Sequence, residues 1–373
     1  MKKEKIKLGY DSLWEYIIRP PKYNYTENAL GTPSFVYRGK IYNRKDYNLM
    51  SSMGYIMKCS YIEPDITNRT KDEMPLVLYL HGNASSRIEG IHMIEELLKR
   101  DINIFLFDFP GCGLSEGDYI SLGFHEKDDV GIIIDFIENI PGVGNIGIWG
   151  RSMGAATSLL YAHKDPRIKA ICFDSPFADF KKLAKEISMN HFNFPNFLLD
   201  TILSFIGKTI KKKNGLDINL LKPIEVAKET FQPGMFIHAK NDKLINVHHT
   251  LDIYEQYSGP KCVYILEKGG HNTKRPDNLI KKIGKFFSRF LDEKIIYNEK
   301  IEKNINLEEN EDIESNKEKI KIIENGKIII ENSNENDIYL EKIEKNEIKR
   351  LDEMKSYLQK INPKDIKKEE EDS

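Results

Sequence analysis

The chain has 373 residues, with 56 Lys and Arg against 58 Asp and Glu, and this net charge of -2 excludes general attraction to nucleic acid or to a membrane surface. Hydrophobic residues make up 40% of it, enough for a sizeable core. Yet no stretch reaches the ~18 consecutive apolar residues of a membrane-spanning helix, and the charged start lacks the apolar run of a secretion signal.

Cys59, Cys112, Cys172 and Cys262 are scattered and form no Cys-x-x-Cys pair, so neither a disulfide framework nor a thiolate metal site is expected, and a reducing, cytoplasmic setting is. Residues 11–18 read as a short amphipathic helix stopped by Pro20 and Pro21. Residues 34–37, 40–42 and 54–61 read as antiparallel strands, the first two joined by a tight turn at Arg38 and Gly39. Residues 1–62 are therefore expected to pack, as a helix and antiparallel strands, on the domain that follows.

From Leu76 the pattern changes. Apolar runs at 76–80, 102–107, 145–150, 168–173, 235–238 and 262–266 alternate with helical stretches at 88–100, 125–140, 153–161 and 277–291. Such alternation predicts a mostly parallel central sheet with helices on both faces, spanning 63–292. An aromatic and aliphatic insertion at about 177–233 interrupts it, and is expected to form two helices that either join the core or lie over the site as an apolar lid. Lys208 and Lys211 to Lys213 read first as a solvated basic turn, with peripheral contact to anionic lipid headgroups the alternative.

Beyond 292 the composition turns to Lys, Glu, Asn and Ile, a bias expected of a charged extension that is partly disordered or weakly structured. Within 293–373, residues 320–330 carry a hairpin signal around Asn325 and Gly326, and 339–361 have apolar residues at helical spacing.

His81, Asp108, Ser152, Asp174, Asp242 and His271 all fall just after predicted strands, at the end where parallel sheets hold ligands. Ser152 lies in Gly150-Arg151-Ser152-Met153-Gly154, between a strand and a helix, the setting of a sharp turn that presents a serine hydroxyl. A second copy, Gly113-Leu114-Ser115-Glu116-Gly117, follows an irregular turn and leads into no helix, so it reads as a loop. A serine hydroxyl needs a base to take its proton and a carboxylate to orient that base. His271, in a glycine-flanked loop after the last strand, is the candidate base. Asp242 is the preferred acid and Asp174 the alternative.

The Met153 amide and, through a bend at Gly82, the Asn83 amide are the candidate oxyanion donors, with Ala84 next in line. His81 reads as structural. The glycines after Phe107 depart from the G-x-G-x-x-G spacing of a dinucleotide site and open no helix, so that segment reads as pocket wall and Asp108 as structural.

Taken together, the segments around His81, Asp108, Ser152, Asp242 and His271 resemble those of α/β-hydrolase fold serine hydrolases. The branch they resemble most is the serine-aminopeptidase-like one, which includes monoacylglycerol-lipase-like and acyl-protein-thioesterase-like proteins. The resemblance covers residues 14–291 and differs at Ala239 and Lys240, where relatives often carry His-Gly before the acid. It implies Ser152 as nucleophile, Asp242 as acid, His271 as base, and the Asn83 and Met153 amides as oxyanion donors. It also implies a small acyl ester or thioester substrate, with no cofactor, metal or nucleic-acid partner. An aminopeptidase would need a carboxylate beside the pocket to hold the substrate ammonium, and the sequence identifies none. A catalytically silent hydrolase fold, binding through its lid or tail, is the third reading.

Overall fold

The computed structural model describes residues 14–191, 196–291 and 327–328. Two uninterrupted apolar runs set its middle: β4 (Met74–Leu80) and β5 (Asn103–Phe107) are buried on both faces almost throughout, as strands covered on both sides must be. Alternate side chains serve opposite layers. Leu76, Leu78, Leu80, Phe105 and Phe107 join one hydrophobic cluster, and Val77, Tyr79, Ile104 and Leu106 join the other.

Around them lie β1 (Ser34–Tyr37), β2 (Lys40–Met50), β3 (Ile56–Pro64), β6 (Val143–Arg151), β7 (Ile168–Asp174), β8 (Gly234–Ala239) and β9 (Lys261–Leu266). With a two-residue strand β10 (Lys327–Ile328), the sheet has the order β1-β2-β3-β5-β4-β6-β7-β8-β9-β10. Strands β4 to β10 run parallel to one another, and β1, β2 and β3 pair antiparallel. Because β3 also pairs antiparallel with β5, the N-terminal strands extend the central sheet edge to edge.

Helices α3 (Glu126–Glu138), α4 (Met153–Ala162) and α8 (His248–Gln256) give their apolar residues to the first cluster. Helices α2 (Ile94–Leu98) and α9 (Asp277–Leu291) give theirs to the second. The sandwich of two helical layers around a mostly parallel sheet is the expected α/β architecture. The short helix α1 (Glu15–Ile18) is held through Trp14, whose ring meets Tyr119 edge-on, and through the Ile18 carbonyl, which accepts from Ile120 N–H.

Two elements differ from the sequence reading. The helix expected over 88–100 is a 3-10 stretch, Arg87–Met93, followed by the short α2. Gly90 lies so close to the sheet that a Cβ there would stand 2.6 Å from Leu106 Cδ2, and this approach shapes the segment. Strand β2 runs on to Met50, well past Tyr42, and pairs with β3 along that length. Its continuation, Asn43 to Asn48, is polar and gives no apolar alternation, being held instead by pairs such as Lys45–Glu63 (2.6 Å) and by the β3 ladder.

The insertion forms α5 (Phe180–His191), α6 (Asn196–Asn214) and α7 (Pro223–Ala227). Ile202, Ile206 and Ile210 of α6 belong to the first hydrophobic cluster, so that face of the insertion is core. Apart from Lys327 and Ile328, the hairpin and helix expected in the C-terminal extension lie outside the described residues. None of the described helices is long and apolar enough to cross a membrane.

Candidate active site

Strand β6 ends in Arg151, the helix α4 starts at Met153, and Ser152 between them has φ 52° and ψ -116°. A side chain in that left-handed region costs about 1–3 kcal/mol and persists only where the surroundings enforce it. They do so here through two glycines. A Cβ on Gly150 would stand 2.4 Å from Gly154 O, and one on Gly154 only 2.0 Å from Leu80 O. The turn is tied to the next strand by Ser152 N–H, which donates to Asp174 O (2.8 Å).

The loops after β8 and β9 bring two more groups to this turn. His271 Nε2 lies 2.9 Å from Ser152 Oγ, and its Nδ1 lies 2.6 Å from Asp242 Oδ2. All three residues are at least nine-tenths buried. Asp242 Oδ1 accepts the Leu244 and Ile245 amides, both at 2.9 Å, so the loop's own backbone aims the carboxylate. Burial alone would raise the Asp242 carboxyl, but the His271 and His238 imidazoles outweigh it and hold the group well below the ordinary carboxylate range. An ionised carboxylate only accepts, which puts the His271 proton on Nδ1 and leaves Nε2 to accept from the serine hydroxyl.

His238 escaped the sequence reading. It sits near the end of β8, fully buried, with Nε2 3.2 Å from Asp242 Oδ2 and 2.8 Å from Ile245 O, and Nδ1 2.6 Å from Thr250 Oγ. The only sequence signal was its place, four residues before Asp242 at the end of an apolar strand. The other acid candidate is engaged elsewhere. Asp174 is buried and held by Arg275, with Nη2 2.6 Å from Oδ1 and Nε 2.9 Å from Oδ2.

The turn after β4 begins at His81. Gly82 is not left-handed, and a Cβ there would meet Ser152 Cβ at an ordinary 3.6 Å. The left-handed residue is Ala84 (φ 55°), whose amide is directed at Cys112. The Gly82 amide donates to Glu89 Oε2 (2.9 Å). His81 is structural: Nε2 accepts from Phe109 N–H (3.0 Å), leaving Nδ1–H to donate to Gly82 O (2.7 Å).

Asp108 braces the neighbouring loops. It accepts from the Tyr25 hydroxyl (2.7 Å) and from the Arg87 (2.6 Å) and Leu114 (2.9 Å) amides. Ser115, in the second Gly-x-Ser-x-Gly copy, is buried in a loop. Its hydroxyl donates to Asp108 O (2.6 Å) and accepts from Lys58 N–H (2.9 Å).

Among the described residues, Glu186, His248 and His249 bring three ligand-type atoms within 4.8 Å of one another. Ala178 N–H donates to His249 Nδ1 (3.2 Å), so the proton of that ring sits on Nε2 and faces Glu186 Oε2 (3.1 Å). Burial holds His249 at about 4, which keeps the ring neutral. A metal on Nε2 would move its proton to Nδ1, against the Ala178 amide. The geometry is that of a carboxylate bridging two imidazoles, which joins α5 to α8.

The family model described as the alpha/beta hydrolase fold matches residues 75–213. The uncharacterized protein YqkD of Bacillus subtilis is 30% identical over 248 residues, 65% of this chain and 78% of that protein. The chain belongs to the α/β-hydrolase fold family. Within this α/β-hydrolase, the matched stretch includes the Ser152 turn, while Asp242 and His271 come from beyond it and reach Ser152 through the fold.

The lysophosphatidylserine lipase ABHD12 of Rattus norvegicus is 30% identical over 192 residues, 48% of this chain and 44% of that protein, so the chain spans less than half of that relative. Among solved structures, the esterase Pf2001 of Pyrococcus furiosus superposes with a TM-score of 0.55 at 21% identity, over 74% of this chain and 98% of the other, a likeness of fold.

Proposed function

We propose that this α/β-hydrolase is a serine hydrolase that cleaves the carboxylic ester or thioester bond of a small acyl substrate. One observation carries the proposal: the unbroken hydrogen-bond line from Ser152 Oγ to His271 Nε2 (2.9 Å) and from His271 Nδ1 to Asp242 Oδ2 (2.6 Å). In the first half-reaction Ser152 Oγ attacks the acyl carbonyl while His271 Nε2 takes its proton, and Asp242 stabilises the resulting imidazolium. The oxyanion is received by the Met153 amide at the start of α4 and by the Asn83 amide; losing one such donor costs about 3–4 kcal/mol of transition-state stabilisation. The tetrahedral intermediate collapses by breaking the acyl–oxygen or acyl–sulfur bond, and His271 returns the proton to the leaving group. Water then attacks the acyl-enzyme with His271 again as base, releasing the acid and restoring Ser152.

That the relative ABHD12 is a lysophosphatidylserine lipase supports an acyl substrate over other substrates of this fold. The apolar insertion is the proposed lid for its acyl chain and the proposed place of any peripheral membrane contact. The test is a panel of acyl esters of increasing chain length, matching thioesters, and aminoacyl amides, assayed with the native chain and Ser152→Ala. Turnover of esters or thioesters, lost on the order of 10⁴-fold or more in the variant, is expected. Preference for aminoacyl amides, or full activity without Ser152, contradicts the proposal.

A further inference from the structure

The residue before Ser152 is an arginine whose guanidinium lies inside the protein. Arg151 and Glu89 are each 5% exposed and form an ion pair through Nη1 and Oε1. The other ends of the pair are also used. Glu89 Oε2 accepts the Gly82 amide (2.9 Å), while Arg151 Nη2 donates to His271 O (2.9 Å) and to Asn272 Oδ1 (3.2 Å). A single buried ion pair thus touches the turn after β4, the Ser152 turn and the His271 loop, three of the four backbone segments that carry the proposed chemistry, the fourth being the Asp242 loop.

We infer that Glu89 and Arg151 form a positioning unit for the reaction, holding the His271 loop and the Gly82–Asn83 turn against Ser152 while presenting His271 with a charge-neutral pair. The inference rests on the roles proposed above for Ser152, Asp242 and His271.

Stability does not account for the pair. Buried ion pairs are often no better than apolar residues of equal volume, because both charges lose their water. An apolar pair could not make directional bonds to two loops at once. Burial alone would push the Glu89 carboxyl up and the Arg151 guanidinium down. Their mutual attraction, with the Gly82 amide, reverses both shifts, so both groups stay ionised through the neutral range.

The charge balance matters because His271 becomes a cation when it takes the serine proton. Arg151 alone, bonded to the carbonyl of that same residue, would oppose this step. Glu89 offsets it. The same logic recurs on the other side, where Arg275 Nη2 reaches His271 O at 3.5 Å and is paired with buried Asp174. The remaining titratable neighbours are Asp242, bonded to His271; His81 and His92, facing Glu89; and Tyr79, facing Arg151.

The experiment is the pH profile of kcat/KM for an activated acyl ester, with the full-length native chain and with Glu89→Gln, Arg151→Met, Arg151→Lys and Ser152→Ala. Titration with a fluorophosphonate counts competent sites in each. Glu89→Gln keeps an acceptor for Gly82 but leaves Arg151 uncompensated. Its acidic limb is expected to move to lower pH by about one unit. Arg151→Met is expected to lower kcat roughly tenfold with KM little changed, as a misplaced general base does, and Arg151→Lys to recover part of the loss.

Glu89→Gln and Arg151→Met proteins whose competent sites show the native limb and the native kcat would overturn the inference. If Glu89→Gln does not fold, the contrast between Arg151→Met and Arg151→Lys decides by the same reading of kcat. Should Ser152→Ala hydrolyse the ester as fast as the native chain, the proposed function fails. Should Ser152→Ala be inactive while the other variants match the native protein, only the positioning unit fails.

Discussion

Ser152 and Ser115 occupy the same short motif, and the surroundings of their hydroxyls set them apart. Ser115 spends both hydrogen-bonding capacities on the backbone of Asp108 and Lys58, while Ser152 Oγ faces an imidazole. The motif alone could not separate them; the apolar strand before Ser152 and the helical run after it did. The two acid candidates divide in the same manner. Asp242 bonds to His271, and Asp174 is taken up by Arg275, a partner 101 residues away that no local pattern announces. A contrast between variants follows. Asp242→Asn, which leaves His271 in the wrong tautomer, is expected to lower kcat on the order of 10⁴-fold in a well-folded protein. Asp174→Asn breaks a buried ion pair and is expected to cost about 3–5 kcal/mol of stability, read by urea denaturation. Equal loss of activity at equal stability in both variants would contradict this division.

At the scale of elements, the central strands and α9 were legible because burial on two faces, or on one helical stripe, leaves a strong periodic mark. The segment 87–98 and strand β2 were not, since one is shaped by the close approach of Gly90 to the sheet and the other is polar and held by its partners. A hidden contact of this kind joins α3 to the turn between β2 and β3. Asp129 Oδ1 accepts both the amide and the hydroxyl of Ser52, each at 2.7 Å. Burial nevertheless raises the Asp129 carboxyl to about 6, against the opposing pull of those bonds.

The sign follows from that direction. A carboxyl raised in the folded state lends its stability below the unfolded value of about 4, and that contribution is lost as pH rises through about 6. Asp129→Asn keeps an acceptor for Ser52 and cannot ionise. Its stability relative to the native protein should therefore improve by about 2–3 kcal/mol between about pH 4 and about pH 8. Urea denaturation at both values checks this, and a difference that does not change with pH would contradict it.

At the scale of the molecule, the sheet converts sequence order into proximity. Ser152 follows β6, Asp242 follows β8 and His271 follows β9, and parallel pairing places those carboxyl ends side by side. That convergence was readable in the sequence because it depends only on strand order and on which residues follow the strands. The buried pairs that fasten the loops, Glu89 with Arg151 and Asp174 with Arg275, were not, because charged residues distant in sequence carry no periodic signal. The most direct test of the central claim is fluorophosphonate labelling of the full chain, followed by mass measurement of the intact protein and of its peptides. A single adduct on Ser152, retained in Ser115→Ala and absent from Ser152→Ala, is expected; labelling that survives Ser152→Ala, or an adduct on Ser115, would contradict it.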